Sequence, residues 1–322
     1  MTKFNYKNVE EAYKIINSKI IRTPLITNDY INSLTGANIF FKFENFQITG
    51  SFKYRGALNK ITKISSSLTK NGVIAYSSGN HAQAVAYASM LRKINAKIIM
   101  PINAPKIKIQ NTKKYGADIL LYDPTKEKRE IIGNELALKE ERVLIKPYDD
   151  HDIIAGQGTA GLEIAEQLKK IDIIPNLYLC CCGGGGLIAG TSTYLKYAFP
   201  DISCHSVEPE GFDDTKKSLL HQKIISNNPG PKTICDALLA EKPGDLTFKI
   251  NLSTVSSGLS VTEKEVKKTI LTLAEHLKVV IEPGGAVAAA AALNNKISLK
   301  NKNVIVMLSG GNIDSKLFSK LV

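Results

Sequence analysis

The stretch "NLYLCCCGGGGLIAGTSTYLKYAF", Asn176 to Phe199, decides the fold. An apolar run, Leu177–Cys182, meets four glycines, Gly183–Gly186, and then a helical pattern. A short buried strand, a turn and a helix make half of a βαβ unit. The same order recurs in "GVIAYSSGNHAQAVAYASMLRK" (72–93), "AKIIMPINAPKIKIQNTKKYG" (96–116), "ADILLYD" (117–123) and "ERVLIKPYDD" (141–150). It returns in "DISCHSVEPE" (201–210) and "NVIVMLSGGNID" (303–314). This alternation predicts an α/β fold of open, twisted, mostly parallel sheets covered by helices. Such sheets bind ligands at the carboxyl ends of their strands, where loops meet helix N-termini.

The bulk composition narrows the function. The chain has 322 residues, 43% hydrophobic and 22% charged, enough for one large or two ordinary globular domains. The formal net charge is +12, but the lysines are scattered, with no dense basic run carrying interleaved aromatics. Nucleic acid is therefore not expected as a partner, whereas an anionic substrate or cofactor suits this field. No run reaches membrane-spanning length. The start "MTKFNYKNVEEAYKII" reads as an amphipathic first helix and not as a signal peptide. Cys180, Cys181, Cys182, Cys204 and Cys235 form no CxxC pair, so reduced, buried thiols in a cytoplasmic protein are expected. A helix is expected from about Thr262 to Leu277, with Thr262 as its N-cap and Glu265 three residues on.

Several loops after strands carry chemistry. Gly183–Gly186 expose amides at a helix start, a cradle for a phosphate or a close-packed turn. No GxGxxG with a downstream acid and no GK[ST] is present there, which disfavours a dinucleotide site and a P-loop. Ser77, Ser78, Asn80 and His81 follow the strand Val73–Tyr76 and suit a carboxylate, or plain helix capping. His81 alone reads as a structural hydrogen-bonder and not a base. Ser309 ends the strand Val304–Leu308 and suits a buried heteroatom, or a turn. Glu208, Asp213 and Asp214 in "VEPEGFDDT" (207–215) read from spacing as a solvated acidic turn, with Mg²⁺ or Ca²⁺ as the other reading.

Lys53, in "GSFKYRGA" (50–57), lies between Phe52 and Tyr54 just before a helix from about Tyr54. Desolvation there lowers the pKa of an amine, and a neutral lysine adds to an aldehyde as a Schiff base. An aldehyde partner, a phosphate cradle and a strand-end serine together describe pyridoxal 5′-phosphate, with one element for each end of the molecule.

The ordered set resembles the fold-type II pyridoxal-phosphate enzymes, which share the tryptophan synthase β-like fold. Within them it is similar to the threonine/serine dehydratase and serine racemase family. The motifs run nearly end to end: "RTPL" (22–25), "FKFENFQITGSFKYRGA" (41–57), "SSGNHAQAVA" (77–86), "IIAGQGTAGLEI" (153–164), "GGGGLIAG" (183–190), "VEPEGFDD" (207–214), "IEPGGAVAAAAAL" (281–293) and "LSGGNID" (308–314). The resemblance implies that Lys53 carries the cofactor, Phe52 packs beside its ring and Asn80 bonds its 3′-oxygen. It implies that Gly183, Gly184, Gly185 and Gly186 hold the phosphate, and that Glu282 and Ser309 complete the cofactor site, Ser309 facing the ring nitrogen. Ser77, Ser78, Asn80 and His81 would receive the substrate carboxylate. Glu208, the carbonyl of Phe212 and Asp214 match a divalent-cation site, which overturns the solvated-turn reading.

The implied function is an ammonia-lyase that removes water from L-threonine or L-serine, with Lys53 as the catalytic base. Serine racemase or 3-hydroxyaspartate dehydratase is the alternative, and a non-catalytic amino-acid-binding protein of the same fold is an alternative of another class. Ser78 stands where threonine dehydratases commonly carry alanine, and in racemases a serine there exchanges a proton on the face opposite the lysine. Arg129 falls where racemases place an arginine that meets a second carboxylate, with a surface helix arginine as the other reading. Tyr148 replaces an asparagine expected in racemases. A large domain (1–71 and 149–322) and a small domain (72–148) that closes over a small amino-acid substrate are expected, in a homodimer. No appended regulatory module is read, which points to a catabolic form.

Overall fold

The computed structural model describes residues 4–322. The helix expected at the start runs Tyr6–Ile16, and the first three residues of that reading lie outside the described ones. Among the described residues ten strands form two sheets. They are β1 (Leu25–Ile26), β2 (Asn38–Phe43), β3 (Val73–Tyr76), β4 (Ala96–Pro101) and β5 (Asp118–Tyr122), then β6 (Val143–Leu144), β7 (Leu177–Cys181), β8 (Ser203–Pro209), β9 (Ser257–Val261) and β10 (Asn303–Leu308).

The larger sheet has the order β1-β2-β10-β7-β8-β9. All its pairings are parallel except β1 with β2. β7 lies inside it and every residue of the strand is buried, which is why its sequence is an unbroken apolar run and does not alternate. The smaller sheet, β5-β4-β3-β6, is parallel throughout and built wholly from residues 73–144. Each sheet has its own core. Phe41, Leu179, Val207 and Ile305 belong to the first, and Val73, Val85 and Ile98 with Tyr54 and Ile61 to the second.

The helices follow local rules. Glu263–Leu277 opens on the expected capping box, with Thr262 and Glu265 bonding each other's backbone amides. His151–Lys169 is capped by Asp150, whose side chain accepts from the amides of Asp152 and Ile153. The helix starts at Lys53 and Gly186 are among those with no side-chain cap. Both lie at the carboxyl ends of larger-sheet strands, and both face the same space as the end of β3. All five cysteines are free and buried. Among the described residues no helix is long and apolar enough to cross a membrane.

Candidate active site

A cavity of about 320 Å³ lies between the carboxyl ends of the two sheets. Phe52, Lys53, Ser77, Ser78, Asn80, His81, Arg129, Gly183–Gly186, Glu282 and Ser309 all line it. Glu208, Phe212 and Asp214 do not; they sit beyond it at the end of β8.

Lys53 is the first residue of its helix, Lys53–Lys63. Its Nζ donates to the carbonyl of Pro147 at 2.7 Å and lies 5.2 Å from the Phe52 ring centroid. Burial lowers its pKa to about 8, helped by the positive charge of Arg129. A substantial fraction of this amine is therefore neutral at moderately alkaline pH.

The glycine loop meets the demand of a phosphate. Gly185 has φ +90°, a conformation open to glycine but strained for other residues. The Gly184 carbonyl is drawn away by the Thr247 hydroxyl (2.6 Å) and the Gly244 amide (3.3 Å). Among the described residues nothing accepts from the amides of Gly183, Gly184, Gly185 or Gly186. Four free amides at an uncapped helix start suit a dianion. The Tyr148 ring covers Gly184, where an added methyl would collide with it.

Capping does not explain the loop after β3. The helix Asn80–Leu91 has no side-chain cap; Ser77 Oγ accepts from the Gly79 amide at 3.1 Å in a local turn. Asn80 instead donates to Glu282 Oε1 and accepts from Asn312 Nδ2 at 2.8 Å. Burial, together with the charge of Lys53, lowers His81 to about 3. Its Nε2 lies 2.9 Å from the Ile145 carbonyl, which assigns the proton to that nitrogen, and Nδ1 is buried without a protein partner. His81 is a neutral hydrogen-bonder, as its sequence reading held. Arg129 opens its helix and pairs through Nε with Glu130 at 2.7 Å. Its guanidinium lies 5.8 Å from the Tyr76 ring centroid, and no described residue accepts from its terminal nitrogens.

Glu208 and Asp214 are buried, unlike a solvated turn. Glu208 accepts from the amides of Thr215 (2.9 Å) and Lys216 (2.8 Å). Asp214 Oδ1 accepts from Asn227 at 2.6 Å, while Oδ2 is buried with no partner. Burial pushes Glu208 well up, reinforced by Asp214, and raises Asp214 to about 7. Two buried carboxylates with an orphaned oxygen fit a divalent cation, which would favour their ionised forms.

Sequence reasoning missed two groups. Lys108 lines the cavity with its amine on Glu282 and Asp236. Its signal was the inward stripe Ala104, Lys108, Thr112 at helical spacing. The second is a wholly buried charge cluster directly behind Lys53. The Arg55 guanidinium bonds Glu44 and Glu163 with four contacts of 2.8 Å. Lys42 joins Glu163 at 2.7 Å, and Thr23 closes onto Glu44 at 2.6 Å. All four charged side chains have zero exposure.

Comparison with known proteins agrees with this geometry. Residues 16–310 match the family described as "Pyridoxal-phosphate dependent enzyme". The L-threo-3-hydroxyaspartate ammonia-lyase of Saccharomyces cerevisiae is 40% identical, over 98% of this chain and 96% of that one. The L-threonine ammonia-lyase of Thermotoga maritima is 38% identical, over 98% of this chain and 77% of that one. The solved structure of maize serine racemase superposes with a TM-score of 0.92 at 35% identity, covering 99% of this chain and 97% of that one. With a lysine amine, a free-amide glycine loop and a strand-end serine around one cavity, this chain belongs to the pyridoxal-phosphate dependent enzymes, in the threonine/serine dehydratase and serine racemase group.

Proposed function

We propose that the protein is an ammonia-lyase that removes water from a small β-hydroxy amino acid, L-threonine or L-serine, to give a 2-keto acid and ammonia. The observation that carries this reading is the Lys53 amine, lowered to about 8 and sharing one cavity with Ser78, the glycine loop and Ser309. Pyridoxal phosphate, when bound, supplies an aldehyde for that amine and a conjugated ring that acidifies the substrate Cα. The chain does the rest. The amides of Gly183–Gly186 hold the phosphate, Phe52 flanks the ring and Asn80, steadied by Glu282, directs an N–H at the 3′-oxygen. The hydroxyls of Ser77 and Ser78 and the backbone amides of Asn80 and His81 receive the substrate carboxylate. Lys53, as a free amine, takes the Cα proton. Ser309 is a neutral hydroxyl and does not hold a proton at the ring nitrogen as a carboxylate would, which favours prompt loss of the β-hydroxyl.

Arg129 supports a second reading. Terminal nitrogens without a protein acceptor, beside the same cavity, suit the extra carboxylate of 3-hydroxyaspartate. Relatives named for L-threonine, for serine and for L-threo-3-hydroxyaspartate fit a β-hydroxy amino acid in either case.

The setting belongs to the proposal too. Glu208, the Phe212 carbonyl and Asp214 hold Mg²⁺ or Ca²⁺. Residues 72–148 close as a small domain over a large one made of 1–71 and 149–322, in a cytoplasmic homodimer.

A panel of L-serine, L-threonine and threo- and erythro-3-hydroxyaspartate, scored for keto acid and D-serine, tests the reading. Keto acid from L-threonine or L-serine is the expected result, with Ser78→Ala abolishing D-serine formation while elimination persists. Predominant D-serine would replace the lyase with a racemase. Turnover confined to 3-hydroxyaspartate and lost in Arg129→Gln would establish the second reading.

A further inference from the structure

Asp149 follows Tyr148, where the chain leaves the smaller sheet for the helix His151–Lys169. Asp150 caps that helix, and Asp149 caps a distant one. Its Oδ1 accepts from the amides of Leu246 at 2.9 Å and Thr247 at 3.2 Å, in the first turn of the helix Asp245–Thr254. Gly244, just before that helix, has no side chain for the task, and a methyl group on it would collide with Asp149 Oδ1. Among the described residues no other side chain takes those two amides. The turn most prone to fray is thus held by a carboxylate from another part of the chain.

That turn in its turn holds the glycine loop. Thr247 Oγ1 and the Gly244 amide both donate to the Gly184 carbonyl, which has no other donor among the described residues. The consequence is geometric. Gly184 C=O and Gly185 N–H belong to one trans peptide and point in opposite directions. A carbonyl drawn out toward Thr247 therefore turns the Gly185 N–H into the cavity, which Gly185 lines. Glycine on both sides of that peptide gives its plane little steric resistance to rotation. The reversed plane would aim a carbonyl oxygen at the phosphate in place of a donor. The Tyr148 ring lies against Gly184 but bonds no atom of the loop, so its packing does not choose the sense of the peptide.

We infer that Asp149 is a positioning residue for the cofactor phosphate: by capping the turn 244–247 it fixes the two donors that hold the Gly184 carbonyl outward, and so keeps the Gly185 N–H aimed at the phosphate. The inference rests on the reading that Gly183–Gly186 hold that phosphate.

The test compares pyridoxal phosphate with pyridoxal, which lacks the phosphate. The dissociation constant of each from the full-length apoprotein is measured by visible absorption, and their ratio gives the preference for the phosphate. Both offer Lys53 the same aldehyde, so general damage to the site weakens both and leaves the ratio unmoved. Asp149→Ala should lower the preference at least about fivefold, with pyridoxal bound within about twofold of wild type. Thr247→Val keeps the shape, removes the donor and should lower it at least about tenfold. Both act through one carbonyl, so the double variant should show no lower preference than Thr247→Val alone. Asp149→Asn keeps an accepting oxygen and should stay within about twofold of wild type. An Asp149→Ala that keeps the preference or loses both compounds equally, or a double variant whose loss is the product of the single losses, overturns the inference. Should Asp149→Ala not fold, Thr247→Val decides, and a folded Thr247→Val that keeps the preference overturns it. A wild type that binds pyridoxal as tightly as pyridoxal phosphate removes the phosphate reading and this inference with it; a wild-type preference that survives in Asp149→Ala removes only the inference.

Discussion

Lys53 owes its reactivity to where its helix begins. A solvated lysine has a pKa of about 10.4. At the cavity, burial brings it to about 8. A free amine adds to an aldehyde and an ammonium does not, so capture of pyridoxal phosphate by the apoprotein should speed up through pH 8 and level off above about 9. The visible band formed after rapid mixing measures this. A rate still climbing steeply beyond pH 10 would show an unperturbed lysine and remove burial as the cause. At this scale the sequence was informative because each group's chemistry is local: an amine between aromatics, four glycines, a serine ending a strand. The orientation of the Asn80 amide was not legible, since Asn312 and Glu282, which set it, come from distant parts of the chain.

Elements were legible wherever a period or a cap was. The apolar run of β7, the capping box at Thr262 and the glycine loop were all readable from neighbouring residues. The charge cluster was not. Lys42 lies in β2, Glu44 just after it, Arg55 and Glu163 on separate helices, and each alone reads as a surface charge. Only the packing of those elements makes the charges neutralise one another. Because the helix bearing Lys53 lacks a side-chain cap, Arg55, two residues on, anchors its first turn to the elements behind. Arg55→Met should destabilise the protein by about 3–5 kcal/mol, leaving Glu44 buried without a cation and Glu163 with Lys42 alone. Urea unfolding should show a lower midpoint at unchanged slope. A loss below about 1 kcal/mol would mean that water or a proton compensates the carboxylates easily, and that the clamp is dispensable.

The whole molecule joins two sheets of separate core across one cavity, and the acidic loop at the end of β8 lies outside it. A cation there acts on the cavity only through the frame. EDTA should therefore lower the thermal midpoint by several degrees, and Mg²⁺ or Ca²⁺ should restore it. Asp214→Asn should abolish that response, measured by scanning calorimetry on the holoenzyme. A midpoint indifferent to EDTA and to both ions would return the loop to a purely structural role.

The cluster of Lys42, Glu44, Arg55 and Glu163 also limits how this chain can change. Its two positive and two negative charges balance, so any single exchange for an apolar residue strands an opposite charge in the interior. A route to an apolar version passes through intermediates less stable than either end. The four positions are thus bound to vary as a set, and random single-site mutagenesis around Lys53 will sample that set poorly. Libraries meant to reshape this region should diversify residues 42, 44, 55 and 163 together.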